Sequence, residues 1–341
     1  GNDTLMKALE GRPFHEVCLA AQFCLIKNKD ALKMREVLMR ELDYNVTQVE
    51  QFAAQAYSTG IIAYEYKPDE PVKGAIEERS GVKLLRLWGT RYDRGRAHGR
   101  LLATEIVALA RSAATDVVYA IASGRSYAEI RELQETSFDF SSDTMMELHG
   151  MLVGIREAIT DPGERMIGDR ELDIVDLKAL NSVADWVRFG CSSFTAFAAT
   201  AGKTGPFTAR NLDYLVDMGG KVTATPLVIA HITGEKQGWL SATWPGLIGV
   251  YSAQRHDGIT LLIHDSNGTG RRRVGIVPRA LAAREVLEGM DASNPVETAA
   301  ALFRERQAFT GSNFHMSAPN AKGDDLGAAV FEYCGRENLE E

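Results

Sequence analysis

The sequence is short of cysteine, of long apolar runs and of positive charge, and each shortage excludes something. Four cysteines in 341 residues, Cys18, Cys24, Cys191 and Cys334, have neither the density of a disulfide framework nor the spacing of a zinc site. No run of about eighteen apolar residues occurs, so no segment reads as a membrane-spanning helix. With 38 Lys and Arg against 46 Asp and Glu, the formal charge is -8, a balance that argues against a nucleic-acid surface. Position 1 is Gly rather than Met, which points to an artificially added or a processed start. The expected protein is soluble, cytoplasmic or exported after loss of a leader not present in this sequence.

What is there is ordinary globular material, 45% hydrophobic and 25% charged, enough for one large or two modest domains. From Leu5 to Tyr57 apolar residues recur at three and four (Val17, Ala20, Ala21, Cys24, Leu25; then Leu32, Met34, Val37, Leu38, Leu42), the period of amphipathic helices. Cys18 and Cys24 lie in this region and are expected to pack. Lys67-Pro68-Asp69-Glu70-Pro71 marks a linker. The chain is accordingly divided into a helical extension, 1–80, and a main domain, 81–341, with a helical part to 190 and a strand-rich part from 191.

In the main domain, Val82 to Trp88 reads as a strand leading through Gly89 and Thr90 into a helix. Gly95 and Gly99, four apart, share a face of that helix and permit a close approach. A second helix covers Met146 to Arg156, and Leu177 to Asn181 a third. After residue 225 the period becomes two: Pro226–Ile232, Trp239–Trp244, Leu247–Ala253 and Ile259–Asp265 alternate with Gly- and Pro-bearing turns, a strand meander. Helices follow at Pro278–Gly289 and from Pro295 to Gln307, with Asn294 as N-cap. Strands return at Asn313–Ser317 and Gly327–Cys334. Strands, two helices, then strands is a layered α/β arrangement.

The stretch with chemistry is Phe189 to Tyr214. Two segments rich in Phe, Thr and Ala flank Gly202-Lys203-Thr204-Gly205, the pattern of a β-hairpin. A turn centred near Gly202 sets Cys191 opposite Asp213 or Tyr214, with Arg210 nearby. Strict alternation puts Arg210 and Asp213 on opposite faces unless the strand bulges or ends there. Taken alone, such a cysteine reads as a small buried hydrophobe and Arg-x-x-Asp as a surface ion pair.

Gly190-Cys191 followed about twenty residues later by Arg210-Asn211-Leu212-Asp213-Tyr214 resembles the cysteine branch of the N-terminal-nucleophile hydrolases. That group holds the isopenicillin N acyltransferase-like family, the choloylglycine (bile salt) hydrolases and the acid ceramidase-like amidases. Gly89-Thr90-x-Tyr92-Asp93-x-Gly95-x-x-x-Gly99 is similar to the family's structural signature, in which Tyr92 and His98 carry no catalytic role. The likeness runs from about Leu84 to Cys334 and implies a four-layer αββα sandwich.

It also implies a chemistry. The precursor would cut itself between Gly190 and Cys191, and the freed α-amine would serve as the base for the thiol. Glycine at 190 would tolerate a strained peptide and leave room for attack on its carbonyl. Arg210 would favour the thiolate and orient the substrate, Asp213 would hold the α-ammonium, and Asn211 would position backbone. No cofactor or metal is called for. The ligand would be a small-molecule amide or acyl donor, and self-association is left open.

An oxyanion hole is also needed. In the relatives one donor is a backbone N–H on the strand matching Gly258 to Asp265, which falls near His264. His264 also serves a rival scheme, an uncut Cys–His thiol enzyme. The second donor in the relatives is an asparagine in a Thr-Asn-His segment, which does not occur up to Glu341. Either more chain follows or another residue stands in, with Asn313 and Asn267 the candidates. A non-catalytic binding or structural module is the alternative from a different class. Arg271-Arg272-Arg273 reads as a solvated loop, and the acceptor-like Asn2-Asp3-Thr4, Asn45-Val46-Thr47 and Asn267-Gly268-Thr269 matter only in a secreted protein.

Overall fold

The computed structural model describes residues 69–187, 189–197, 206–214, 220–234, 237–266, 274–319 and 327–334. The extension helices of 5–57, Cys18, Cys24, the hairpin turn, Asn267 and Arg271 to Arg273 lie outside the described residues. The chain divides into two compact units, 1–70 and 71–341, and every described helix and strand falls in the second.

That unit is a mixed α/β structure. Its strands are β1 (Gly74–Arg79), β2 (Val82–Leu87), β3 (Met166–Ile167), β4 (Arg170–Glu171), β5 (Phe189–Ala196), β6 (Phe207–Tyr214), β7 (Leu227–Gly234), β8 (Gln237–Thr243), β9 (Ser252–Arg255), β10 (Thr260–Asp265), β11 (Ser312–Ser317) and β12 (Ala328–Tyr333). Its helices are α1 (Arg91–Leu101), α2 (Ala103–Thr115), α3 (Val117–Ser123), α4 (Tyr127–Thr136), α5 (Ser142–Ala158), α6 (Ile174–Asn181), α7 (Val183–Trp186), α8 (Lys221–Ala224), α9 (Arg279–Gly289) and α10 (Pro295–Arg304).

Eight strands form one sheet in the order β1-β2-β7-β8-β9-β10-β11-β12. All neighbours run antiparallel except β2 and β7, which are parallel from Lys83↔Leu227 to Leu87↔His231. β1 precedes residue 81 and still belongs to this sheet, paired with β2 from Gly74↔Leu87 to Arg79↔Val82. β5 and β6 form a separate two-stranded sheet.

Register sorts the large sheet into two faces. Trp239, Leu261, Phe314 and Tyr333 share one face, where Phe303 of α10 stacks on Phe314 with centroids 4.5 Å apart and Arg284 of α9 lies 5.3 Å over Trp239. Thr260, Leu262 and His264 share the other face with Asn313, His315 and Ser317, and the β5–β6 hairpin lies there.

The sequence sets α1 closely. Thr90 caps it, accepting from the Asp93 N–H while the Asp93 carboxylate accepts from the Thr90 N–H, a reciprocal capping box. α1 then crosses α5 through four glycines. An ideal Cβ on Gly95 would lie 1.8 Å from the Glu147 carbonyl oxygen, on Gly99 2.0 Å from that of Met151, on Gly150 2.2 Å from that of Tyr92 and on Gly154 2.1 Å from that of Arg96. Backbones meet at that distance only without side chains. The contact is clamped at one end by Arg284, whose Nη2 donates to buried Glu147 at 2.7 Å, and Arg91, which donates to both oxygens of Glu288.

Two further readings of the sequence differ from the structure. Leu247–Ala253 is strand only from Ser252; residues 247–251 are buried loop. Their backbone is satisfied from outside the sheet: Ile248 N–H donates to Asn181 Oδ1 at 2.8 Å, Arg284 Nη1 donates to Ile248 O at 3.0 Å and Val250 N–H donates to Ala280 O. Paired polar groups remove the need for a ladder. Asn294 does precede α10 with Pro295 in the first turn, but makes no side-chain cap; its Nδ2 donates instead to Glu297.

The glycine crossing yields a test in which two effects have opposite signs. Gly→Ala inside an exposed helix stabilises by about 1 kcal/mol, whereas overpacking costs about 1–3 kcal/mol or more. With backbone carbonyls closer than 2.3 Å to the new methyl group, Gly95→Ala and Gly154→Ala each lower the unfolding free energy by at least about 2 kcal/mol in denaturant titration. An unchanged or raised midpoint would contradict the crossing.

Candidate functional site

β5 and β6 pair without a bulge, Phe189↔Tyr214 through Ala196↔Phe207. The register is one residue from the sequence expectation: Cys191 faces Leu212, and Asp213 faces Gly190. Alternation therefore holds. Cys191, Ser193, Thr195, Thr208 and Arg210 point toward the large sheet, while Gly190, Ser192, Phe194, Asn211 and Asp213 point away.

Arg210 reaches the thiol. Its Nη2 lies 3.1 Å from Cys191 Sγ and also donates to Ile263 O. Its Nη1 donates to Ser252 Oγ at 2.6 Å and to Tyr251 O. The guanidinium is thus fixed by β9, β10 and the residue before β9, and it presents one nitrogen to sulfur. Burial holds its pKa below the ordinary value, with the charge and hydrogen bond of Cys191 pulling the other way. A hydrogen bond to a charged partner contributes about 1.5–3 kcal/mol. Cys191 Sγ itself donates to Ile263 O at 3.6 Å.

Asp213 does not join the sulfur. It is exposed, and both its oxygens accept from Asn211 Nδ2, at 2.9 and 3.0 Å. Asn211 accordingly orients a carboxylate where a backbone role was expected. Asp213 lies beside Gly190, where a Cβ would meet its Oδ2 at 3.7 Å. Gly190 lies outside the left-handed region, and a Cβ there would meet only ordinary contacts.

His264 faces the hairpin but engages serine. Its Nε2 is 2.9 Å from Ser193 Oγ. Burial first, then Arg210 and His315, push its pKa down to about 4. Asn313 sits directly across from His264 on β11.

No family model matches this chain, and no curated protein does.

Sequence reasoning missed the group that anchors the start of β5. The Phe189 N–H donates to Asp265 Oδ2 at 3.3 Å, and Asp265 Oδ1 accepts from Arg279 Nη1 at 2.8 Å. Arg279 is 1% exposed and lies 4.7 Å over the Phe189 ring. It also donates to Gly311 O and Ser312 Oγ, each at 3.0 Å, and its own N–H donates to Asp185. Nothing in the linear pattern joins positions 185, 265 and 279. Ser193 and Thr195 were legible, since period two puts them on the face of Cys191.

A cavity of about 360 Å³ is lined by Arg91, Trp239, Arg255, His256 and Glu288, among others. It opens on the helix side of the sheet and includes none of the candidate residues. Among the described residues no cluster of three or more His, Cys, Asp or Glu could hold a metal ion, and no helix is long and apolar enough to cross a membrane.

Buried titratable groups give a pH test. His98 and His149 are each pushed down to about 3 by burial and His264 to about 4. Unfolding lets these rings bind protons near pH 6.5, so their contribution is full above that value and is lost as pH falls toward 4. Asp185 runs the other way, raised by burial to about 7 against the opposing charge of Arg279; its burden is relieved as pH falls from 7 toward 4. In thermal melts the midpoint drops between pH 7 and 5, and Asp185→Asn makes that drop steeper. A shallower slope in the variant would reverse the assignment.

Proposed function

We propose that the protein is a self-processing amidohydrolase or acyltransferase of the N-terminal-nucleophile type, with Cys191 as the nucleophile and a C–N amide bond as its target. The observation that carries the reading is the Arg210 nitrogen 3.1 Å from Cys191 Sγ, one residue after a glycine flanked by the Asp213 carboxylate. A helical layer, the large sheet and a hairpin stacked on its far face correspond to three of the four layers of the αββα sandwich implied by the resemblance.

In the proposed self-cleavage, Cys191 sulfur attacks the Gly190 carbonyl carbon. An S–C bond forms, the Gly190–Cys191 C–N bond breaks, and the thiol proton passes to the departing amine. Water then cleaves the thioester, restoring the thiol and leaving a carboxylate on Gly190. The new amine titrates near pH 8, close to a free thiol, so it can take the thiol proton in each later turnover. Arg210 stabilises the sulfur as its proton leaves, and Asp213, already beside Gly190, is placed to pair with the α-ammonium. With Asp213 on the outer face, its partner is that amine and not the sulfur.

The uncut Cys–His scheme finds less support, because His264 Nε2 is committed to Ser193. The substrate is a small amide or acyl donor, and Asn313 beside His264 remains the candidate oxyanion donor on the thiol face of the sheet.

Intact-mass measurement tests the reading. Two fragments meeting between Gly190 and Cys191 are expected, with Cys191→Ala yielding only the 37.4 kDa chain. A wild-type chain that stays whole through prolonged incubation at neutral pH would overturn self-processing. Arg210→Met is expected to slow scission by about a hundredfold or more, as for loss of one aligned charge-stabilising donor.

A further inference from the structure

Between the hairpin and the large sheet runs an unbroken chain of hydrogen bonds through two imidazoles. Ser193 Oγ lies 2.9 Å from His264 Nε2 and 2.5 Å from His315 Nδ1. His315 Nε2 is 3.0 Å from Thr195 Oγ1, which is 3.0 Å from Thr208 Oγ1. Thr208 continues to Ser317 Oγ at 2.9 Å, and Ser317 to Thr260 Oγ1 at 2.6 Å.

Counting protons limits the order of donors at Ser193. A hydroxyl has one proton, so Ser193 donates to one imidazole and accepts from the other. A neutral imidazole also has one N–H. With Ser193 donating to His264 Nε2, His315 Nδ1 donates to Ser193 and both rings carry their proton on Nδ1; with Ser193 donating to His315 Nδ1, His264 Nε2 donates to Ser193 and both carry it on Nε2. In either direction the two rings share one tautomer.

We propose that Ser193 is a positioning residue of the thiol site, acting through His264 and His315 to fix the Cys191 main chain in the register that sets its sulfur against Arg210. The role rests on the reading of Cys191 as the reacting group. Ser193 touches neither the sulfur nor the scissile bond; two residues from Cys191 on the same face of β5, it ties that strand to β10 and β11 through the two rings. The rings are coupled, because reversing one bond alone opposes two protons or two lone pairs at Ser193.

Two measurements test this. In ¹⁵N-histidine-labelled Cys191→Ala protein, which stays uncut, His264 and His315 read as neutral rings of the same tautomer at pH 7, and Ser193→Ala shifts the ring-nitrogen resonances of both. Different tautomers in the two rings, a doubly protonated ring, or resonances unmoved by Ser193→Ala would overturn the proposal. In otherwise wild-type protein, the rate of iodoacetamide labelling, read on the peptide containing Cys191, falls about tenfold in Ser193→Ala and stays within about threefold in Ser193→Thr, the scale of a small misplacement of a reacting group. Equal rates in all three would also overturn it. Both readouts work whether or not the chain cuts itself, so a failure of self-processing and a failure of the relay are told apart.

Discussion

One guanidinium holds the arrangement together. Arg210 comes from the hairpin, yet three of its four hydrogen bonds go to the large sheet and the residue before β9, and only the fourth goes to sulfur. The hairpin would otherwise be two strands alone, and an isolated pair of strands is marginal in water. Arg210 makes docking and thiol geometry the same event. A side chain that merely placed charge near sulfur could do so from a mobile loop; this one cannot move without undocking β6.

Many of the remaining inter-sheet contacts are polar as well. Hydroxyls and imidazoles share the space between hairpin and sheet with Phe189, Leu212 and Leu262, where most stacked sheets would place Val, Leu and Phe throughout. Phe194 and Phe207 are each 58% exposed on the outer face of the hairpin, and much of the aliphatic core lies between the sheet and its helices. Polar groups in such a layer cost free energy unless each is paired. The pairing here is extensive, and it couples the protons of the two imidazoles where an apolar interface would give only adhesion.

Much of this was legible in the sequence, and the losses have physical reasons. The Gly95–Gly99 spacing announced a close crossing because a missing Cβ has one strong structural use in a helix. The meander was visible because alternation survives wherever one face is buried. The hairpin was visible too, but its register was not: turn length sets register, and composition around Gly202 did not define the turn to one residue. That single step moved Asp213 from the sulfur to the glycine. The Asp185–Arg279–Asp265 anchor was hidden because its members come from three separate elements, and Leu247–Tyr251 passed for a strand because its backbone partners are side chains and carbonyls from other elements.

The parallel pairing of β2 with β7 has a consequence for any cut ahead of Cys191. The connection between those strands spans residues 88 to 226 and contains the Gly190–Cys191 bond. β1 and β2 would belong to one polypeptide and β7 to β12 to another, yet all eight would remain ribs of one continuous sheet, with α1 and α5 from the first piece still clamped to α9 from the second. Scission would therefore free an amine without freeing a subunit, and the severed halves would behave as an interlaced heterodimer that never passes through a dissociated stage.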